Sequence, residues 1–166
     1  MDTDVKVISE LSASGVYVLL LSVQRDIKLN IGKLGKQNFP RGYYTYTGSA
    51  LGKGATSLKH RIARHLRKEK RKFWHIDYLL VDENVSVEAV IAAETNENME
   101  CKVNSHIKGM EGAEVPVKGF GASDCNKNCG SHLLYFPETE NADCLVKKLV
   151  RYLQSDSGVV SVCVLH

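Results

Sequence analysis

The sequence predicts an α/β (α+β) fold: a small mixed or antiparallel sheet flanked by helices. Three observations predict it. Short β-branched and aromatic runs recur along the chain, separated by turns containing glycine or asparagine. Between them lie segments whose apolar residues repeat every three to four positions, the period of an amphipathic helix. And 166 residues with 43% apolar and 25% charged side chains have the size and balance of one globular domain with its own core. No internal repeat, long linker or low-complexity stretch divides residues 1–166.

Residues 15–23 (GVYVLLLSV) read as a buried strand, and residues 27–31 alternate apolar and polar side chains as a half-buried strand does. Gly32, Gly35, Pro40 and Gly42 punctuate a loop before residues 43–47, a second alternating strand with Tyr44 and Tyr46 on one face. Gly48, Gly52 and Gly54 make a turn into a helix over about residues 55–70. There Leu58, Ile62 and Leu66 form an apolar stripe, while Arg61, His65 and Lys68 take another face. Residues 73–81 and 85–94 read as two strands joined at Asp82-Glu83-Asn84. A helix over about 97–107, a glycine-rich loop over 109–124 and a strand over 132–136 follow. An amphipathic helix over 142–154 and a strand over 159–165 close the chain.

The net charge of +3 is modest, but Lys59, Arg61, Arg64, Arg67, Lys68, Lys70, Arg71 and Lys72 are opposed locally only by Glu69. Charge concentrated this way attracts polyanions and would track phosphates without reading sequence. The plainer alternative is a solvated helix end. Trp74 could stack on a splayed base or belong to the core, and His75 with Asp77 could pair on one strand face. No apolar run reaches the ~20 residues needed to cross a bilayer, so a membrane partner is not expected. The acidic start Met1-Asp2-Thr3-Asp4 is unlike a signal peptide, and the odd set of five cysteines argues for reduced thiols. Both point to the cytoplasm.

Gly15-Val16-Tyr17 and Tyr46-Thr47-Gly48 are followed by Arg61 and His65 on one expected helix and by Glu100 on the next. This ordered set resembles the GIY-YIG nuclease superfamily. More closely, the stretches GYYTYTGSA, RHLR, WHIDYLL, EC and GFGASDC…SHL resemble a small uncharacterised microbial branch of it, sometimes fused to an endonuclease III-type DNA glycosylase. The core resemblance covers about residues 14–107, with 108–166 as a C-terminal extension. Tyr17 and Tyr46 are 29 residues apart, farther than in typical members, so residues 27–42 would be an insertion carrying another strand.

The resemblance implies metal-dependent endonucleolytic hydrolysis of phosphodiester bonds in DNA, with RNA not excluded, at branched or damaged structures. It makes Tyr17 or Tyr46 the proton acceptor, Arg61 the phosphate clamp and His65 the group that orients phenol or water. Glu100 would hold Mg²⁺ or Mn²⁺, and Gly15 and Gly48 would shape the backbone. Lys59, Arg64, Arg67, Lys68, Arg71 and Lys72 would hold the nucleic acid. The chemistry suits these types: a planar guanidinium clamps phosphate oxygens, and a hard cation binds through few carboxylates. Taken singly, each residue has an ordinary reading, the tyrosines as sheet core and Arg61 and His65 as solvated helix surface. Two other functions compete: a non-catalytic nucleic-acid-binding module, and a zinc-stabilised interaction domain recruiting a repair glycosylase.

Cys125-x₃-Cys129-x₂-His132, with Cys101 or Cys144 as fourth ligand, could hold Zn²⁺, since thiolates and imidazole suit that metal. The competing reading leaves the two cysteines to loop packing and lets His132 or Asp124 reach the cleft.

Overall fold

The strand β1 (Gly15–Val23) is apolar from Val16 to Leu21 because both of its faces are covered there. Tyr17, Leu19, Leu21 and Val23 point to one layer, and Val16, Val18 and Leu20 to the other. The computed structural model describes residues 11, 14–52, 54–122, 125, 127–157 and 160–165.

Around β1 the chain lays out β2 (Ile27–Asn30), β3 (Lys36–Phe39), β4 (Gly42–Ala50), α1 (Leu58–Leu66), α2 (His75–Leu80) and β5 (Val85–Glu94). Then come α3 (Glu100–Lys108), β6 (Leu133–Phe136), α4 (Ala142–Ser157) and β7 (Val160–Val164). Five strands form one sheet in the order β6-β4-β1-β5-β7, and every neighbouring pair is antiparallel. Of the two expected sheet types, the antiparallel one is present. Leu58 and Ile62 of α1, Ile76, Leu79 and Leu80 of α2, and the β2–β3 hairpin cover one face. Val103 and Ile107 of α3 with Leu145, Leu149 and Leu153 of α4 cover the other. Residues beyond 108 are therefore integral to the sheet: they supply both edge strands and half of one covering layer.

Three expectations change. Residues 73–81 are not a strand. Ile76, Leu79 and Leu80 fit one helical face, and Asp77, third in the helix, accepts the backbone N–H of Trp74 at 2.8 Å, closing the first turn of α2. The loop expected between residues 32 and 42 contains β3, which pairs with β2 and buries Phe39. The helix expected over 55–70 is helical only over Leu58–Leu66, because Lys70 folds back to donate to the Arg64 and His65 carbonyls at 2.9 and 2.7 Å. Among the described residues no helix is long and apolar enough to cross a membrane.

Candidate active site

Strand register brings the two tripeptides together. Tyr17 of β1 lies opposite Gly48 of β4, and an added Cβ on Gly48 would overlap the Tyr17 phenol. The missing side chain is thus a bed for the ring. Gly15 serves α1 in the same way: a Cβ there would sit 2.7 Å from Leu58 Cδ2 and 2.6 Å from the Ala93 carbonyl oxygen. With Leu58 seated on β1, the first helical turn carries Arg61 to the sheet, where its guanidinium donates to the Ser49 carbonyl.

One turn further, His65 is buried beside Leu58 and Ile62, not on a solvated face. Its Nε2 lies 2.7 Å from the Tyr17 hydroxyl, while its Nδ1 has no hydrogen-bond partner among the described residues. Burial, with the charge of Lys70 next in weight, pushes the imidazole down to about 3. His65 is neutral at physiological pH, so Nε2 either accepts the phenol's proton or donates to its oxygen. Tyr46 meets the His65 ring edge-on at 6.1 Å. Both phenols titrate well above the ordinary tyrosine value, chiefly because they are buried, and Arg61 opposes the rise in each.

The basic run divides into two sets. Arg64 makes a two-pronged ion pair with buried Asp77 at 2.8 Å and 2.8 Å. Burial would raise the Asp77 carboxyl, but Arg64 and the Trp74 and Phe73 N–H groups hold it below the usual carboxylate range. Lys68 donates to the carbonyls of Leu80, Asp82 and Val85 at 3.1, 3.2 and 2.6 Å. Those two cations, like Lys70, staple the fold. Lys59, Arg67, Arg71 and Lys72 are exposed and face solvent. The Trp74 ring carries the guanidiniums of Arg61 and Arg64 at 5.1 and 4.4 Å from its centroid, so it buttresses the arginines. Phe73, 79% exposed, is the open ring beside it. The expected His75–Asp77 pair does not form, since a helix turns the two apart. His75 Nδ1 instead accepts the Gly121 N–H at 2.9 Å, which leaves its proton on Nε2.

The opposite wall comes from α3 and the loop before β6. That loop is stitched by Gly119 N–H to Gly130 O at 2.6 Å and His132 N–H to Phe120 O at 2.8 Å. The buried Asn104 amide ties it to α3 by donating to the Ser131 carbonyl at 2.7 Å. The result gathers Cys101, Cys125, Cys129 and His132, whose ligand atoms all lie within 4.8 Å of one another. This is a Cys₃His set compatible with a metal such as zinc. Cys101 Sγ is 3.5 Å from Cys125 Sγ and 3.9 Å from His132 Nε2. A tetrahedral ion with Zn–S near 2.3 Å and Zn–N near 2.0 Å would space its donors about 3.5–3.8 Å apart, so the set fits. Hydrogen bonds from the backbone of Cys129, and after it Lys127, bring the Cys125 thiol down to about 6, so it is largely thiolate at neutral pH. Of the two fourth-ligand candidates, Cys101 is the one present; Cys144 is exposed on α4. Asp124 lies outside the described residues.

Between the walls is a cleft of about 440 Å³ lined by Tyr17, Tyr46, Gly48, Arg61, Glu100 and His132, among others. The two phenols, the guanidinium and the carboxylate expected from separate stretches of sequence do converge. His65 stands behind Tyr17, outside the lining. Glu100, first residue of α3, has its Oε1 3.4 Å from His132 Nδ1 and its side chain 25% exposed. Ser49, Phe73, His75, Asn98 and Lys127 also line the cleft. Sequence reasoning put His75 near the site only as a partner of Asp77 and assigned none of the others. For His75 the signal was present: the aspartate two residues later marks a helix start, which turns His75 away from Asp77.

A family model described as a domain of unknown function, DUF123, matches residues 16–155. No curated protein and no solved structure matches the chain.

Proposed function

We propose, for a chain that belongs to the DUF123 family, that the cleft cuts a phosphodiester bond in DNA with help from a divalent cation. The observation that carries this reading is the convergence of Tyr17, Tyr46, Arg61 and Glu100 on one cleft. The reaction class comes from the resemblance to GIY-YIG nucleases, the positions from the cleft.

Arg61, anchored on the Ser49 carbonyl and backed by Trp74, clamps the non-bridging phosphate oxygens. Tyr46 and Tyr17 present hydroxyl groups to the attacking water. Because burial keeps both protonated at neutral pH, they orient the water; Tyr17 takes its proton only by passing its own to the His65 Nε2 at 2.7 Å. His65, neutral and 2.7 Å from Tyr17, fixes that phenol's direction. His75 offers an Nε2–H to phosphate. Glu100, half-buried with the Asn98 side chain and open space for water beside it, is a donor set that suits Mg²⁺ or Mn²⁺. Such a cation supplies, when bound, charge neutralisation at the phosphate and the leaving oxygen. The Cys₃His set holds Zn²⁺ in a closed site that ties the loop before β6 to α3.

A second reading keeps the nucleic-acid contact without catalysis. What favours it is that burial lifts both phenols and lowers His65, leaving none of them poised to accept a proton at neutral pH. The test is a cleavage screen on plasmid, flapped, nicked and four-way DNA with Mg²⁺ or Mn²⁺. Nicking that is lost in Arg61→Ala and Glu100→Ala supports the nuclease. Salt-sensitive binding without cleavage, unchanged in Glu100→Ala, supports the module.

A further inference from the structure

His132 is the one ligand of the Cys₃His set whose two ring atoms face different groups. Nε2 is turned to the sulfurs, 3.9 Å from Cys101 Sγ, and Nδ1 is turned to the Glu100 carboxylate, 3.4 Å from Oε1. Nδ1 is buried and makes no closer hydrogen bond among the described residues. A buried imidazole whose Nε2 binds a metal must carry its proton on Nδ1, and that proton needs an acceptor. Among the described residues, Glu100 is the only partner recorded for Nδ1. The chain order makes this arrangement cheap: Glu100 and Cys101 are consecutive on the first turn of α3, so one turn delivers both a ligand and the acceptor for another ligand. Such outer partners fix a histidine's tautomer and raise its basicity.

We propose that Glu100 is a positioning residue for a Cys₃His metal centre, its carboxylate accepting the His132 Nδ1 proton and holding Nε2 towards Cys101, Cys125 and Cys129. One carboxylate then belongs to both walls of the cleft. Its Oε1 serves the sulfur centre, and its other oxygen is left for the cation at the phosphate. Loss of the sulfur-bound metal would free His132 and, through it, the carboxylate. The inference rests on the metal-centre part of the reading above and not on nuclease activity.

Cobalt(II) titration of the metal-free, full-length protein tests it, because thiolate-to-cobalt charge transfer and the visible ligand-field bands report a tetrahedral thiolate site directly. The parent should bind one equivalent with both signatures. Glu100→Ala should bind with 10–100-fold lower affinity while keeping the charge-transfer band, the loss typical of an outer partner of a ligating histidine. Glu100→Gln, which keeps an acceptor oxygen, should recover part of the loss. Glu97→Ala removes the same charge from an exposed position nearby and should bind as the parent does. Equal affinity of Glu100→Ala and parent overturns the positioning role while leaving the metal centre intact. An equal loss in Glu97→Ala overturns it too, since the effect would then be charge alone. A parent that shows no thiolate–cobalt band overturns the metal centre itself, and with it this role.

Discussion

The two walls of the cleft are held by different means. On the phenol wall, β1, β4 and α1 fix each side chain by register and close packing: Tyr17 lies on Gly48, Leu58 on Gly15, and His65 behind both tyrosines. Tyr17, Tyr46 and His65 are buried and uncharged there, beside the guanidiniums of Arg61 and Arg64. The sulfur wall has one helical turn and a loop sewn together by a few backbone hydrogen bonds. Three thiols and an imidazole meet there, and thiols are weak hydrogen-bonding partners. Strand register, close packing and a few hydrogen bonds arrange the first wall, whereas the second brings together a donor set compatible with a metal such as zinc.

The sharpest way to break this contrast is to disturb the packing wall by one methyl group. Gly48→Ala places a Cβ where the Tyr17 phenol lies, and the backbone of a central strand does not yield easily. Overpacking of this kind costs about 1–3 kcal/mol of stability. A phenol displaced by about an ångström should lower cleavage roughly 10²-fold in a protein that still folds. Wild-type turnover in folded Gly48→Ala would show that the position of Tyr17 does not matter to the chemistry.

Chelation attacks the other wall. A strong zinc chelator should expose Cys101, Cys125 and Cys129 to a thiol reagent, and the protein should melt at lower temperature. The stabilisation lost is about 4 kcal/mol where free metal had exceeded its Kd a thousandfold. Trp74, the only tryptophan, sits on the phenol wall against His65 and Arg64, so its emission at room temperature should hardly change. A parallel collapse of Trp74 emission would mean that the two walls are one unit.

His65 gives the phenol wall a pH dependence of its own. Its folded-state value near 3 lies below the ordinary histidine value near 6.5, so the unfolded chain binds the extra proton first. Stability is therefore unaffected above about pH 6.5 and falls as pH drops from there towards 3. The loss from this group alone should reach about 2 kcal/mol at pH 5. Urea unfolding at pH 7.5 and pH 5, compared between parent and His65→Gln, isolates it; an identical pH slope in the two would show that His65 is not buried neutral.

The contrast also explains what could be read from sequence. The strands β1, β4 and β5 and the helix α4 were legible because alternation and helical period reflect the faces they bury. The residues of the phenol wall were picked out by the resemblance and not by periodicity, which had put His65 on a face away from Leu58 and Ile62. The strand misread at residues 73–81 has a run of apolar residues that fits either period, and the decisive signal is the single Asp77. Choosing Cys101 over Cys144 required knowing that α3 lies against the loop before β6, a long-range contact that no local spacing encodes. The contact of Gly48 with Tyr17 was not legible for a related reason: sheet register, and not chain order, sets the two opposite each other.

The smallest effects should come from the exposed cations, and they ask whether one strand of nucleic acid runs across both walls. Lys72 flanks the phenol wall, held over the Tyr78 ring at 5.1 Å, and Lys127 lines the cleft from the sulfur side. Each phosphate contact contributes about one unit to the slope of log affinity against log salt. Lys72→Ala and Lys127→Ala should each reduce that slope by about one and leave the melting temperature unchanged. Arg64→Ala should do the reverse, because its guanidinium is bound to Asp77: stability falls and the slope stays. If Lys72→Ala lowers the slope and Lys127→Ala does not, the track runs along α1 and past Phe73 only. The sulfur wall would then act on the chemistry through Glu100 and not by holding the substrate.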